Sequence, residues 1–321
     1  MGSGQEEMQL VERISEIYES ISKLDCLSPS MEVNKLFTEL VHACIPVIPV
    51  DVSELSSEVQ SMRTHLIKLS GEAEGLMENH YSDILATFDN PLDHLDLFPY
   101  YNNYLKLSHL EFTLLSRYVL SPPRRVAFVG SGPLPLSSIV LAARHMPAPA
   151  YLDNYDLDAD ANARARRLVR GDPALAERMT FHTADVMDVP AQALRGYDVL
   201  FLAALVGIAH DDKMRVVEHL ARNMAPGALL VARSANGARA FLYPVVEPAE
   251  LKGFEVLTVH HPTDEVINSV IVARKLPAAH SGAPPAVPVM WPCKCCEKVQ
   301  GFHHFGHGSI MEEVALEELP S

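Results

Sequence analysis

The stretch V-A-F-V-G-S-G-P-L-P-L, running from Val126 to Leu136, decides the fold. A short β-branched and aromatic run stops at Gly130, turns through Gly132 and passes straight into a helical pattern. This is how a doubly wound α/β domain opens a nucleotide pocket. Gly130 supplies backbone angles closed to other residues, and Gly132 has no side chain to hold a ligand off the main chain. Pro133 and Pro135 fall where a first helical turn tolerates proline, since those N–H groups have no intrahelical partner. The third glycine of the dinucleotide fingerprint is missing and no positive residue accompanies the loop. A pyrophosphate is therefore poorly provided for, and an adenosyl group without phosphates fits better.

Working outward, a helix over Leu136 to Arg144 leads to a second strand, Ala150 to Tyr155, closed by Asp156-Leu157-Asp158. An acid at this point, roughly twenty residues past the glycines, holds a ribose diol in such pockets. The alternative is that Asp156 caps the helix beginning near Ala159, since Asp is a favoured N-cap. That helix reaches Arg170. Strands then follow at Met179 to Thr183, Tyr197 to Phe201 and Ala228 to Arg233, with a helix over Asp212 to Met224. The alternation predicts a parallel sheet with helices on both faces and the ligand at the carboxyl ends of the strands. Asp185 and Val186 follow the third strand, where an acid accepts from an adenine amino group or from a loop N–H. Ala203, Ala204 and Leu205 follow the fourth, where small residues let a ligand lie over the sheet edge or are ordinary core. Glu255 to His260 and Asn268 to Arg274 read as a closing antiparallel pair.

Upstream, residues 1–120 read as an all-helical N-terminal part, with Leu10, Ile14, Ile17, Tyr18 and Ile21 at helical spacing. Ser53 to Phe88 reads as one amphipathic helix, bent near Gly71 and Gly75. Ser121-Pro122-Pro123-Arg124-Arg125 marks a boundary to a second domain over 121–276. Residues 277–321, rich in Pro, Ala, Gly, Ser and His, are expected to be disordered. They hold Cys293, Cys295 and Cys296, whose spacing matches no closed zinc site, and no metal site is assigned.

Glu111 sits among Leu107, Leu110, Phe112, Leu114 and Leu115 on a helix over Tyr104 to Tyr118. An acid in such a setting is salt-bridged or poised for chemistry, because burial raises a carboxyl pKa toward the range of a general base. Arg117 and Lys106 are the partners the local sequence offers. Tyr101, Tyr104 and Tyr118 either form an aromatic face for a cation or pack as core.

The 321 residues carry a net charge of −15, which argues against a nucleic-acid or anionic-membrane partner and suits a cationic ligand. No apolar run reaches the length of a membrane span. The five cysteines, an odd number, suit a reducing compartment, so the expected location is the cytoplasm, with association to vesicles as an addition. Tyr104-Leu105-Lys106-Leu107 and Leu114-Leu115 look like trafficking signals but read more simply as a buried helix. The oligomeric state is open.

Taken together, V-G-S-G-P-L-P-L, Y-D-L-D and P-Y-Y-N-N-Y-L-K-L-S-H-L-E-F resemble the plant nicotianamine synthase family, grass type, over nearly all of residues 1–275. The resemblance implies a Rossmann-like, methyltransferase-type doubly wound sheet under an N-terminal helical cap. It also implies a transferase that uses S-adenosylmethionine as substrate and moves its aminopropyl carboxylate arm rather than its methyl. By resemblance, Gly130, Ser131, Gly132 and Pro133 lie against the methionine and ribose side of the donor, Asp156 with Leu157 takes the ribose, Asp185 with Val186 reaches the adenine, and Ala203 and Leu205 complete the wall. Glu111 matches the glutamate that deprotonates the attacking amine, and Tyr104 is the expected assisting tyrosine. The rivals are a small-molecule methyltransferase with the same pocket, a nicotinamide oxidoreductase and a metal-handling protein working through the tail.

Overall fold

A computed structural model describes residues 3–146 and 150–277. Nearly all of the tail, with Cys293, Cys295 and Cys296, lies outside the described residues. Four helices come first: α1 Ser3–Ile21, α2 Met31–Cys44, α3 Ser57–Leu85 and α4 Tyr101–Ser116. Ser30 and Ser56 start α2 and α3 by accepting the N–H of Val33 and Val59, each replacing a bond the first turn lacks. Gly71 and Gly75 do not break α3, which runs unbroken for 29 residues. Gly71 instead lets another chain segment approach, since a methyl there would meet the side chain of Leu205 at 3.3 Å.

The second half alternates as expected: β1 Arg125–Val129, α5 Leu136–Val140, β2 Tyr151–Asp156, α6 Ala159–Val169, α7 Pro173–Arg178, β3 Met179–Thr183, α8 Ala191–Leu194, β4 Val199–Leu202, α9 His210–Asn223 and β5 Leu229–Ser234. Then come β6 Phe254–His260 and β7 Ser269–Lys275. The seven strands stand in the order β3-β2-β1-β4-β5-β7-β6. Strands β1 to β5 pair in parallel, whereas β7 runs antiparallel to both β5 and β6. The order reverses at β1, whose neighbours are β2 and β4, and this switch point opens a crevice at the carboxyl ends.

Both faces of the central strands are buried, which is why they read as continuous apolar runs. On one face Phe128 and Phe201 stack 5.7 Å apart and pack with Leu107, Leu114 and Leu115 of α4. On the other, Leu200, Leu202 and Leu230 meet Val216, Val217 and Leu220 of α9. Ile14, Ile17, Leu40 and Leu66 from α1, α2 and α3 close over Phe241 in the loop after β5. The helical part thus shares cores with the sheet and its loops. Among the described residues no helix is long and apolar enough to cross a membrane.

Candidate active site

A cavity of about 820 Å³ lies over the carboxyl ends of β1, β2 and β4, within the range of small-molecule sites. Its floor is the glycine loop. Gly130 and Gly132 both take positive φ, 79° and 67°, a region that disfavours other residues. A methyl on Gly130 would fall 2.4 Å from Val206, and one on Gly132 would fall 2.6 Å from the carboxylate of Glu78. Pro133 lies in the loop before α5 rather than in its first turn, and Pro135 is the residue that caps the helix. The Pro133 carbonyl accepts the hydroxyl of Ser82 at 2.7 Å, tying the loop to α3.

Asp156 stands at the end of β2 and lines the cavity. Its Oδ2 accepts the Gly132 N–H at 2.8 Å and its Oδ1 the Asp158 N–H at 3.0 Å. The cap of α6 is Asp158, not Asp156, because Asp158 accepts the N–H of Asp160. Asp185 accepts the Met187 N–H at 2.9 Å, as the loop reading of that residue expects, and with Val186 it also lines the cavity. Ser131, Leu157, Ala203, Ala204 and Leu205 share the same wall. The donor-side residues expected from sequence are therefore brought together.

Glu111 is not among them. It is wholly buried, at 0% exposure, and does not line the cavity. Arg233 on β5 holds both of its oxygens, Nε to Oε1 at 2.7 Å and Nη2 to Oε2 at 3.0 Å. Neither Arg117 nor Lys106 is its partner, and Lys106 instead pairs with Glu265. Both oxygens of the Glu111 carboxylate are engaged by that one buried guanidinium, away from the cavity where a substrate amine would lie. The base assigned to Glu111 has to be sought elsewhere.

The cavity wall contributed by α3 carries two further carboxyls. Glu74 and Glu78, one helical turn apart, both line the cavity, as do Tyr104 of α4 and Tyr243 from the loop after β5. Tyr104 Oη stands 3.2 Å from Glu74 Oε1 and 3.2 Å from Glu78 Oε1, and Tyr243 Oη donates to Glu74 Oε2 at 2.9 Å. A phenol has one hydrogen to give, so the set is satisfied when one carboxyl carries a proton and donates back to Tyr104. Burial pushes the Glu78 carboxyl well above the usual range, and the charges of Glu74 and Asp156 push it further, against the Tyr104 hydrogen bond and Arg233. Burial raises Glu74 too, opposed by hydrogen bonds from Tyr243 and Tyr104. Burial and the adjacent carboxylates hold the Tyr104 hydroxyl protonated. Once ionised, a carboxyl whose hold on a proton is raised in this way is an acceptor for an amine proton beside the glycine loop.

Of the three tyrosines considered as an aromatic face, only Tyr104 reaches the cavity. Tyr101 accepts from Arg144, and Tyr118 donates to the Leu257 carbonyl. A second cavity of about 360 Å³, lined by α2, α3 and α4, shares Glu74, Tyr104, Tyr243 and Asn268 with the first.

The chain matches the profile of a family described as nicotianamine synthase protein over residues 3–280. A protein of Solanum lycopersicum named nicotianamine synthase is 55% identical over 317 residues, covering 96% of this chain and 98% of its own. Nicotianamine synthase 9 of Hordeum vulgare is 57% identical over 330 residues, covering 98% and 96%. Among solved structures, a glutamate-to-glutamine mutant of MtNAS in complex with S-adenosylmethionine is similar with a TM-score of 0.69 at 23% identity, covering 83% of this chain and 98% of that one. That likeness carries the Rossmann-like architecture. The plant relatives carry more, for at more than half identity over almost their whole length they show that the chain belongs to the nicotianamine synthase family.

Proposed function

We infer that the chain makes nicotianamine, condensing three S-adenosylmethionine molecules by aminopropyl carboxylate transfer and azetidine closure. Three methylthioadenosines leave, and the product is a chelator of iron, zinc and copper. The observation that carries the assignment of roles is the Glu78 carboxylate, 2.6 Å from where a side chain on Gly132 would begin. In each transfer an α-amino nitrogen attacks the arm carbon bound to the sulfonium. The carbon–sulfur bond breaks with its electron pair going to sulfur, and the amine proton passes to Glu78. An α-amino group has a reference pKa near 8 and is mostly protonated at neutral pH, so the step needs that acceptor. Tyr104 steadies Glu78 and Glu74, and Glu74 extends the negative surface toward the second cavity. On the donor side Asp156 takes the ribose hydroxyls, Asp185 the adenine amino group, and Gly130 to Pro133 the main-chain approach. Alignment of nitrogen, carbon and sulfur is worth about 7–11 kcal/mol of barrier, which is the work of an enclosed site.

A reducing cytoplasm suits this chemistry, and Cys26 and Cys44 are both free thiols. The apparent trafficking leucines are buried, Leu107, Leu114 and Leu115 being at most 3% exposed, so the fold lends vesicle association no support. We assign no nucleic-acid partner, given the net charge of −15.

Glu78→Gln tests the role. It should bind S-adenosylmethionine as wild type does while releasing little methylthioadenosine, whereas normal turnover in that variant ends the assignment. A thermal melt controls for folding and has its own sign. The folded state holds the Glu78 proton above the ordinary value of 4.5, so wild-type stability falls as pH rises past that point. The glutamine variant escapes this loss and should melt higher near neutral pH.

A further inference from the structure

Most charged residues around the large cavity are acidic: Glu74, Glu78, Asp156, Asp158, Asp185 and Asp212. They suit a sulfonium and an amine but repel the carboxylate that every amino-acid arm also carries. The cations lining the cavity are Arg215, on the exposed rim and paired with Asp212, and Arg233, which is 7% exposed. Arg233 is held on three sides. Glu111 binds Nε and Nη2, Ser137 Oγ accepts from Nη2 at 2.6 Å, and the guanidinium lies over the Phe128 ring, 5.3 Å from its centre. Its Nη1 donates to no acceptor among the described residues. Asn268, also 7% exposed, lines the same cavity with an Nδ2 that has no acceptor. It stands one residue before β7, two residues from Val270, and Val270 pairs with Arg233 across the sheet. Residues two apart on a strand share a face, so both donors belong to one side of the sheet. The Asn268 amide is a buried donor without an acceptor, which is costly, and a ligand oxygen that meets it beside Arg233 Nη1 removes that cost.

We propose that Arg233 Nη1 and Asn268 Nδ2 form the subsite for the α-carboxylate of an amino-acid arm, with Glu111 as the positioning residue that fixes the guanidinium. The proposal rests on the transferase reading above and adds the group that sorts the two ends of a zwitterion. The carboxylate goes to β5 and β7, leaving the amine and sulfonium to face α3. It also gives Glu111 a part in binding that needs no contact with substrate.

The test is a ratio of affinities measured by calorimetry. On the free protein, S-adenosylmethionine is compared with its decarboxylated analogue, which reports the donor's carboxylate. On protein saturated with methylthioadenosine, L-2-aminobutyrate is compared with propylamine, which reports the acceptor's. Wild type should prefer the carboxylated partner about 10- to 150-fold in at least one arm, the span expected for hydrogen bonds to a charged group. Asn268→Ala, Glu111→Gln and the double variant Glu111→Gln/Arg233→Met should each cut that preference at least several-fold. The double variant leaves no unpaired buried charge and so keeps the fold available. Methylthioadenosine affinity should not change in any of them, a selectivity that general loss of structure does not produce. An unchanged preference in Asn268→Ala and the double variant, or no preference in wild type, overturns the subsite. Wild-type protein that discriminates but releases no methylthioadenosine leaves the subsite standing and removes the transferase reading instead.

Discussion

Gly132→Ala isolates the contact on which the assignment of the base turns. The new methyl would sit 2.6 Å from Glu78 Oε2, and ordinary contact begins at 3.4 Å, so the carboxylate has to retreat by about 0.8 Å. At a site where a misplacement of about 1 Å costs on the order of 100-fold, turnover should fall by tens of fold. The φ of 67° adds a backbone cost of about 1–2 kcal/mol for any residue with a Cβ, which a thermal melt reads independently. The assay is methylthioadenosine release from S-adenosylmethionine, with the melt alongside it. Gly75→Ala is the matched control. It lies on the helix that carries Glu78 and lines the same cavity, but its methyl would meet nothing within 4 Å. That variant should keep full turnover and gain about 0.5–1 kcal/mol from better helix propensity. If Gly132→Ala lowers the melt as expected but turns over at the wild-type rate, Glu78 does not have to stand where it does, and the reasoning fails.

Asp156→Ala removes the acceptor of the Gly132 N–H as well as the proposed ribose contact, and should weaken S-adenosylmethionine by about 1.5–3 kcal/mol in a calorimetric titration. Asp172→Ala, which removes the α7 cap away from the cavity, should cost about 1 kcal/mol of stability and leave that affinity alone. Lys213 is buried on α9, donates to the Ala203 and Ala204 carbonyls, and is pushed down by burial to about 7. Its folded-state pKa lies below the unfolded value of 10.5, so the fold gains stability as pH rises from 7 toward 10. Denaturant melts should show wild type gaining on Lys213→Met across that window by up to about 1.4 kcal/mol per pH unit, and parallel curves would contradict the burial of a free amine.

The donor side of the site was legible because its signals are local. A strand, a glycine turn and an acid at the next strand's end lie within about thirty residues, and the order of elements then dictates which ends meet. The carboxyls of α3 were not legible as part of the site, for a reason that concerns distance along the chain. Glu111 among leucines carries the mark of a functional acid, yet its partner Arg233 lies 122 positions away on another element. Glu74 and Glu78, in G-E-A-E-G-L-M-E-N-H, look like the solvent face of a helix. The signal that could have found them is Gly71 one turn before Gly75, since a glycine inside a helix can mark a point that another segment approaches closely, as Leu205 does here. Tyr243 follows β5 in a loop with no pattern of its own, and only the closure of α3 over that loop makes it part of the site.

Helix α3 is a single rod held at several points along its length. Arg63 donates to the Ala240 carbonyl, Ser82 to the Pro133 carbonyl, and Asp83 pairs with Arg164 and Arg167 on α6. The Glu78 carboxyl and the loop that carries Pro133 are therefore tied to each other through a single turn of α3, and the spacing between them is set by helix geometry rather than by a flexible connection.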